Sequence, residues 1–140
     1  MKLPRVLKRE IIGVAVVAAA LGGLWLWQQQ RAVPLPPGAA VVEQSINTTL
    51  ARVTTLRGPW SEAEVRAFYR SALPKRGWRY CGTQLTPGCT NLFQALSAED
   101  GTVDVYRRAD EQGGRGPTIE IWPKPQPGYM EVRVFESREE

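Results

Sequence analysis

Residues 11–27 read IIGVAVVAAALGGLWLW, seventeen consecutive positions without a charge or a strongly polar group. As a helix rising about 1.5 Å per residue, such a run is near the short end of what crosses a bilayer core. Leu3 and Val6 lie among the basic residues just before it and lengthen the apolar stretch slightly. Trp25 and Trp27 sit at its far end, where indole rings favour the headgroup level. Lys2, Arg5, Lys8 and Arg9 precede the run and only Arg31 follows it, so the positive-inside rule places the N-terminus in the cytoplasm. A cleaved signal peptide shares the basic start and apolar middle. Against it, the run is long, ends in Trp-Leu-Trp and continues into Gln28-Gln29-Gln30-Arg31 with no small-x-small cleavage site. No cysteine lies near positions 20–30 to take a lipid, and a buried core helix would need a partner that the following polar linker does not offer. The expected organisation is a basic cytoplasmic segment at 1–10, a transmembrane anchor at 11–27, a proline-rich linker at 28–40 and an extracytoplasmic domain at 41–140.

The charge distribution supports this reading. Residues 1–31 hold five basic side chains and one acid, which accounts for the whole net charge of +4. The remaining 109 residues carry 13 basic and 13 acidic groups, so the folded part is neutral and offers no excess of cations for nucleic acid. There is no histidine, which excludes Ser-His-Asp and Cys-His catalysis, a histidine base and every His-containing metal site. Two cysteines are too few for a thiolate zinc site.

In the exported part, residues 32–40 (AVPLPPGAA) carry three prolines in four positions and predict an extended, semi-rigid tether. After Gly58-Pro59, Ser61 and Glu64 have the spacing of a capping box, with Trp60 and Val65 placed as a hydrophobic staple. Val65, Phe68, Tyr69, Ala72 and Leu73 then form one apolar stripe, opposite Glu62, Arg66, Arg70 and Lys75. The spacing predicts a helix over 61–74, disturbed by Pro74 and closed by Gly77. Strands are expected at 50–56, from 78 to 80, and at 91–96, 102–106, 118–122 and 129–135, with a turn at 99–101 and loops at 112–117 and 123–128. Alternation in these segments predicts a sheet covered on one face and wet on the other. The fold class expected is α+β: a main amphipathic helix packed on an antiparallel sheet, after the N-terminal transmembrane helix.

Cys81 and Cys89 bracket seven residues that include Pro87-Gly88. Outside the cytoplasm, such a pair in a small domain is expected to oxidise to a structural disulfide. A redox-active pair would need closer spacing and a thiolate of lowered pKa.

Residues 61–78 (SEAEVRAFYRSALPKRGW) resemble a pattern of small exported, membrane-anchored bacterial domains. In these, a helix carrying Phe-Tyr and then Leu leads into Gly-Trp and a strand. The matching residues are Phe68, Tyr69, Leu73, Gly77 and Trp78. The resemblance covers about eighteen positions and implies a bacterial envelope location, the cytoplasmic membrane with the domain in the periplasm, rather than an activity. The residues themselves read as core: the aromatics and Leu73 face the sheet, Gly77 permits the reversal, and Trp78 fills the core edge.

The function expected is that of an anchored interaction module, an accessory or assembly subunit of a larger membrane or envelope complex. Ala18, Ala19, Ala20, Gly22 and Gly23 allow close helix–helix approach, and Trp122, Tyr129, Trp25 and Trp27 are the candidate partner contacts. The alternative is a small-ligand or cell-wall-binding module using exposed aromatics among Trp122, Tyr80, Tyr106 and Tyr129. An enzyme is not expected. The acids at Glu99, Asp100, Asp104 and Glu120 read as solvated surface groups, and the sequence points to no cofactor and no metal.

Overall fold

A computed structural model describes residues 5–48, 51–89, 101–108 and 116–137; side chains at 5–12, 27–31, 47–48 and 51 are not described. The chain divides into two units, 1–33 and 34–140. The first is helix α1, Arg5–Arg31, 27 residues long. Its side chains at 13–26 are exposed, Val14, Leu21 and Trp25 among them. Among the residues whose side chains are described, which in α1 are 13–26, no helix is long and apolar enough to cross a membrane.

The second unit is α+β. Its elements are β1 (Ala40–Thr48), β2 (Ala51–Gly58), α2 (Glu62–Ala72), a 3-10 turn (Pro74–Arg76), β3 (Trp78–Thr83), β4 (Asp104–Arg108), β5 (Thr118–Gln126) and β6 (Tyr129–Ser137). All strands pair antiparallel in one sheet of order β1-β2-β6-β5-β4-β3. α2 carries the chain from β2 to the far edge strand β3, and β3 to β6 then step back across the sheet to pair with β2.

α2 starts where the capping box predicts. Ser61 Oγ accepts from Glu64 N–H at 3.2 Å, and Glu64 Oε2 accepts from Ser61 N–H at 2.7 Å. The helix stops at Ala72 because Pro74 cannot continue it, and Gly77, at φ +82°, closes the following 3-10 turn. Val65, Tyr69 and Leu73 are buried. On the sheet, the register places Leu56, Val132, Val134, Ile121, Ile119 and Tyr106 on one face, and α2 packs on β5 there. Burying side chains of this size stabilises the fold by about 1.5–3 kcal/mol each before chain entropy is charged.

Two expectations are corrected, and two features go beyond the expectations. The opposite face is only partly wet: Val105, Thr118, Glu120 and Trp122 project there and are buried, whereas Arg57 stays exposed and Lys124 and Arg133 half-exposed toward its hairpin end. Cys89 and Gly101 both lie on that face, the Cys89 carbonyl accepting from Arg107 and Gly101 lying close to the indole nitrogen of Trp122. The proline-rich segment is fastened at its domain end. Pro34 and Pro36 are buried, and Trp60, rather than serving only α2, donates its indole N–H to Pro37 O at 2.8 Å. β1 follows at once, an edge strand with Val41, Val42 and Ile46 exposed and two register shifts, so it carries no clean alternation to detect. Finally, the loop at 123–128 is strand as far as Gln126. β4 pairs with β5 only up to Ile121, so Pro123 and Pro125, which share one parity, sit where β5 has an open side and a missing N–H costs no ladder bond.

β4 begins at Asp104, two residues later than the strand expected at 102–106. The strand expected at 91–96, with Glu99 and Asp100, lies outside the described residues, as does most of the loop at 112–117.

Candidate functional site

The β5–β6 hairpin turns at Pro127-Gly128, with Gly128 at φ +83° as the turn requires. Period-two alternation then aligns Trp122 and Lys124 on β5 with Glu131 and Arg133 on β6, and with Arg57 on β2, all on the face away from α2. Arg57 lies 5.0 Å over the Tyr129 ring, Lys124 4.5 Å over Trp122, and Arg133 5.7 Å from the same indole. Glu131, mostly buried, is reached by Arg133 at 3.1 Å and by Arg57 at 3.6 Å. Trp122 also stacks on Phe135. The result is a ledge of cations backed by aromatic rings at the hairpin end of the sheet.

Trp122 and Tyr129, candidate contacts from the sequence, are thus brought together, but they play different parts. Trp122 is only 6 % exposed and forms the floor; Tyr129 is 36 % exposed and forms the rim. Trp25 is exposed on α1, and the side chain of Trp27 lies outside the described residues. Arg57, Lys124, Glu131 and Arg133 were missed. The signal was present in the i, i+2 pairs Trp122/Lys124 and Glu131/Arg133, which any extended strand puts on one face.

A second polar group lies under α2. Arg66 pairs with Asp104 at 2.9 Å and also donates to Thr102 O and Glu62. Tyr80 stacks edge-on against Tyr106 at 5.5 Å, with Arg70 4.5 Å over its outer face. Burial pushes the phenols of Tyr69 and Tyr106 well above their ordinary range, and neither hydroxyl has a hydrogen-bond partner among the described residues. Such groups are held neutral.

The carboxylates at 104 and 120 are not solvated surface groups, because each sheet face is covered where they project: each is 2 % exposed. Asp104 is register partner of Ile121 and Val105 of Glu120, so the two acids project to opposite faces and do not confront each other across a cleft. Burial pushes the Glu120 carboxyl up to about 7, against the pull of the Arg107 guanidinium. Among the described residues, no group of three or more acids or cysteines is placed to hold a metal ion.

Cys81 and Cys89 form a disulfide, with Cα atoms 5.7 Å apart. Cys81 sits at an irregularity of β3, and the loop it closes is braced by Thr83 N–H donating to Thr86 Oγ1. Gln84 then clips the far end of the connection, accepting from Val103 N–H and donating to Gly101 O. Phe68 is half-buried with its ring edge-on to Tyr69, and Trp78 is half-buried under Arg108. With Tyr69, Leu73 and Gly77 these residues join the helix to the edge strand, a structural role. Comparison with protein-family models, with curated proteins and with solved structures returns no match.

Proposed function

We propose that the chain is a single-pass, membrane-anchored interaction module, an accessory or assembly subunit of a larger membrane or envelope complex. α1 is the anchor, crossing a bacterial cytoplasmic membrane with its N-terminus inside, and the disulfide-bonded α+β unit stands in the periplasm. The observation that carries this reading is α1 itself. The apolar run at 11–27 lies within one continuous 27-residue helix, and its described side chains are exposed rather than packed in a core. Exposed Val, Leu and Trp over that length call for an apolar surrounding. The disulfide supports an oxidising compartment for the second unit.

An interaction role fits what the second unit presents. Among the described residues, the buried acids Asp104 and Glu120 project to opposite faces, and a cation–aromatic ledge and an edge strand are accessible. The alternative of a ligand module built on open-sheet aromatics loses Trp122 and Tyr106, which are buried. The test is extraction of native membranes in mild detergent and capture through a C-terminal tag. A defined set of membrane proteins in stoichiometric amount is expected. A chain that emerges alone and monodisperse overturns the subunit reading.

A further inference from the structure

Arg57, Lys124 and Arg133 stand on one face at the hairpin end of the sheet, around Tyr129 and Trp122. Glu131 between them is shared by two arginines, and Glu43 stands at the outer rim on β1 opposite Thr55. Among the described residues, cations therefore outnumber acids on the ledge, and a ring face beneath a cation leaves its charge available to an anion. The chain enters the domain at this same end: Ala40 is the register partner of Arg57, and the Trp60 indole holds Pro37. Arg31 closes α1 and Pro34 is already buried, so only Ala32 and Val33 intervene. Three peptide steps span at most about 10 Å.

We propose that this ledge binds the phosphates of anionic phospholipids in the bilayer that holds α1. The proposal rests on reading α1 as an anchor. The short step from Arg31 to Pro34 keeps the entry end of the domain within reach of the headgroup layer. Arg57 and Lys124 flank Tyr129 there, and a tyrosine ring with its hydroxyl suits that layer. Anionic lipid supplies the complementary charge, and each cation near such a surface favours contact roughly fivefold. Contact through the ledge gives the domain a fixed footing on the membrane, which a single helix alone does not.

The experiment uses the full chain in unilamellar vesicles of phosphatidylcholine, with and without phosphatidylglycerol. A fluorophore is placed at Pro127→Cys, in the turn beside Tyr129, or at Lys75→Cys beyond the far end of α2, with the native disulfide kept oxidised. Quenching by headgroup-spin-labelled lipid reports contact. The expected result is strong quenching at 127 and weak quenching at 75, rising at 127 with phosphatidylglycerol and falling with salt. Combining Arg57→Gln with Lys124→Gln lowers the contact equilibrium roughly 25-fold. Equal quenching at both positions, or no dependence on phosphatidylglycerol or on the two cations, overturns the proposal. An alkaline carbonate wash of the same vesicles separates the premises: a chain washed off refutes the anchor, whereas a retained chain with an indifferent ledge refutes only lipid binding.

Discussion

Glu120 gives the sharpest prediction about the fold. It projects from the middle of β5 between Val105 and Phe135, is 2 % exposed, and holds its proton up to about pH 7 because burial opposes the charge. In the unfolded chain the same group titrates near 4.5. The folded state therefore binds the extra proton between those values. Its contribution to stability is fully present below about pH 4.5, falls as pH rises, and is gone once pH passes about 7. The gap corresponds to about 3 kcal/mol. Glu120→Gln keeps the shape and removes the titration. Relative to the native chain, the variant should match it near pH 4.5 and gain about 3 kcal/mol by pH 8, a rise in Tm of roughly 12–15 °C for a domain of this size. Thermal unfolding of both full-length proteins in mild detergent, oxidised, across that pH range measures the difference directly and cancels the other carboxylates. A difference in Tm that does not change with pH would refute the burial argument.

Four further perturbations test separate contacts. Replacing Cys81 and Cys89 with Ser opens a short loop and should cost about 2–3 kcal/mol, seen as a lower urea midpoint without loss of membrane association. Arg66→Ala strands the buried Asp104 carboxylate and should cost about 3 kcal/mol by denaturant titration, with Asp104→Asn restoring part of it. Tyr69→Phe removes a buried hydroxyl that has no partner among the described residues, so stability should hold or rise by about 1 kcal/mol; a clear loss would mean the hydroxyl is engaged. A Cβ at Gly58 would run into the Trp60 ring, so Gly58→Val should displace the indole from Pro37 and speed proteolysis at residues 32–39.

The parts of the fold legible in the sequence are those where one local rule acts alone. Ser61 and Glu64 announce α2, its stripe puts Val65, Tyr69 and Leu73 inward, and β5 and β6 show plain alternation. What escaped depends on neighbours distant in sequence. β1 hides because an edge strand with two register shifts and exposed valines has no period. Pro123 and Pro125 read as loop until the sheet shows that β4 ends short of them. Asp104 and Glu120 look like surface acids because nothing local says that each face is covered where they project. Of the candidate site, Trp122 and Tyr129 were visible as aromatics, but their partner Arg57 comes from a strand 72 residues before Tyr129, and only the β2–β6 register brings it there.

The central claim, that α1 anchors an outward-facing domain, is tested most directly by external protease on intact spheroplasts carrying an N-terminal epitope and a C-terminal tag. The account predicts that the tag is lost while a short fragment bearing the epitope stays in the membrane pellet. A tag that survives until the cells are lysed, or a chain recovered whole in the soluble fraction, would contradict it.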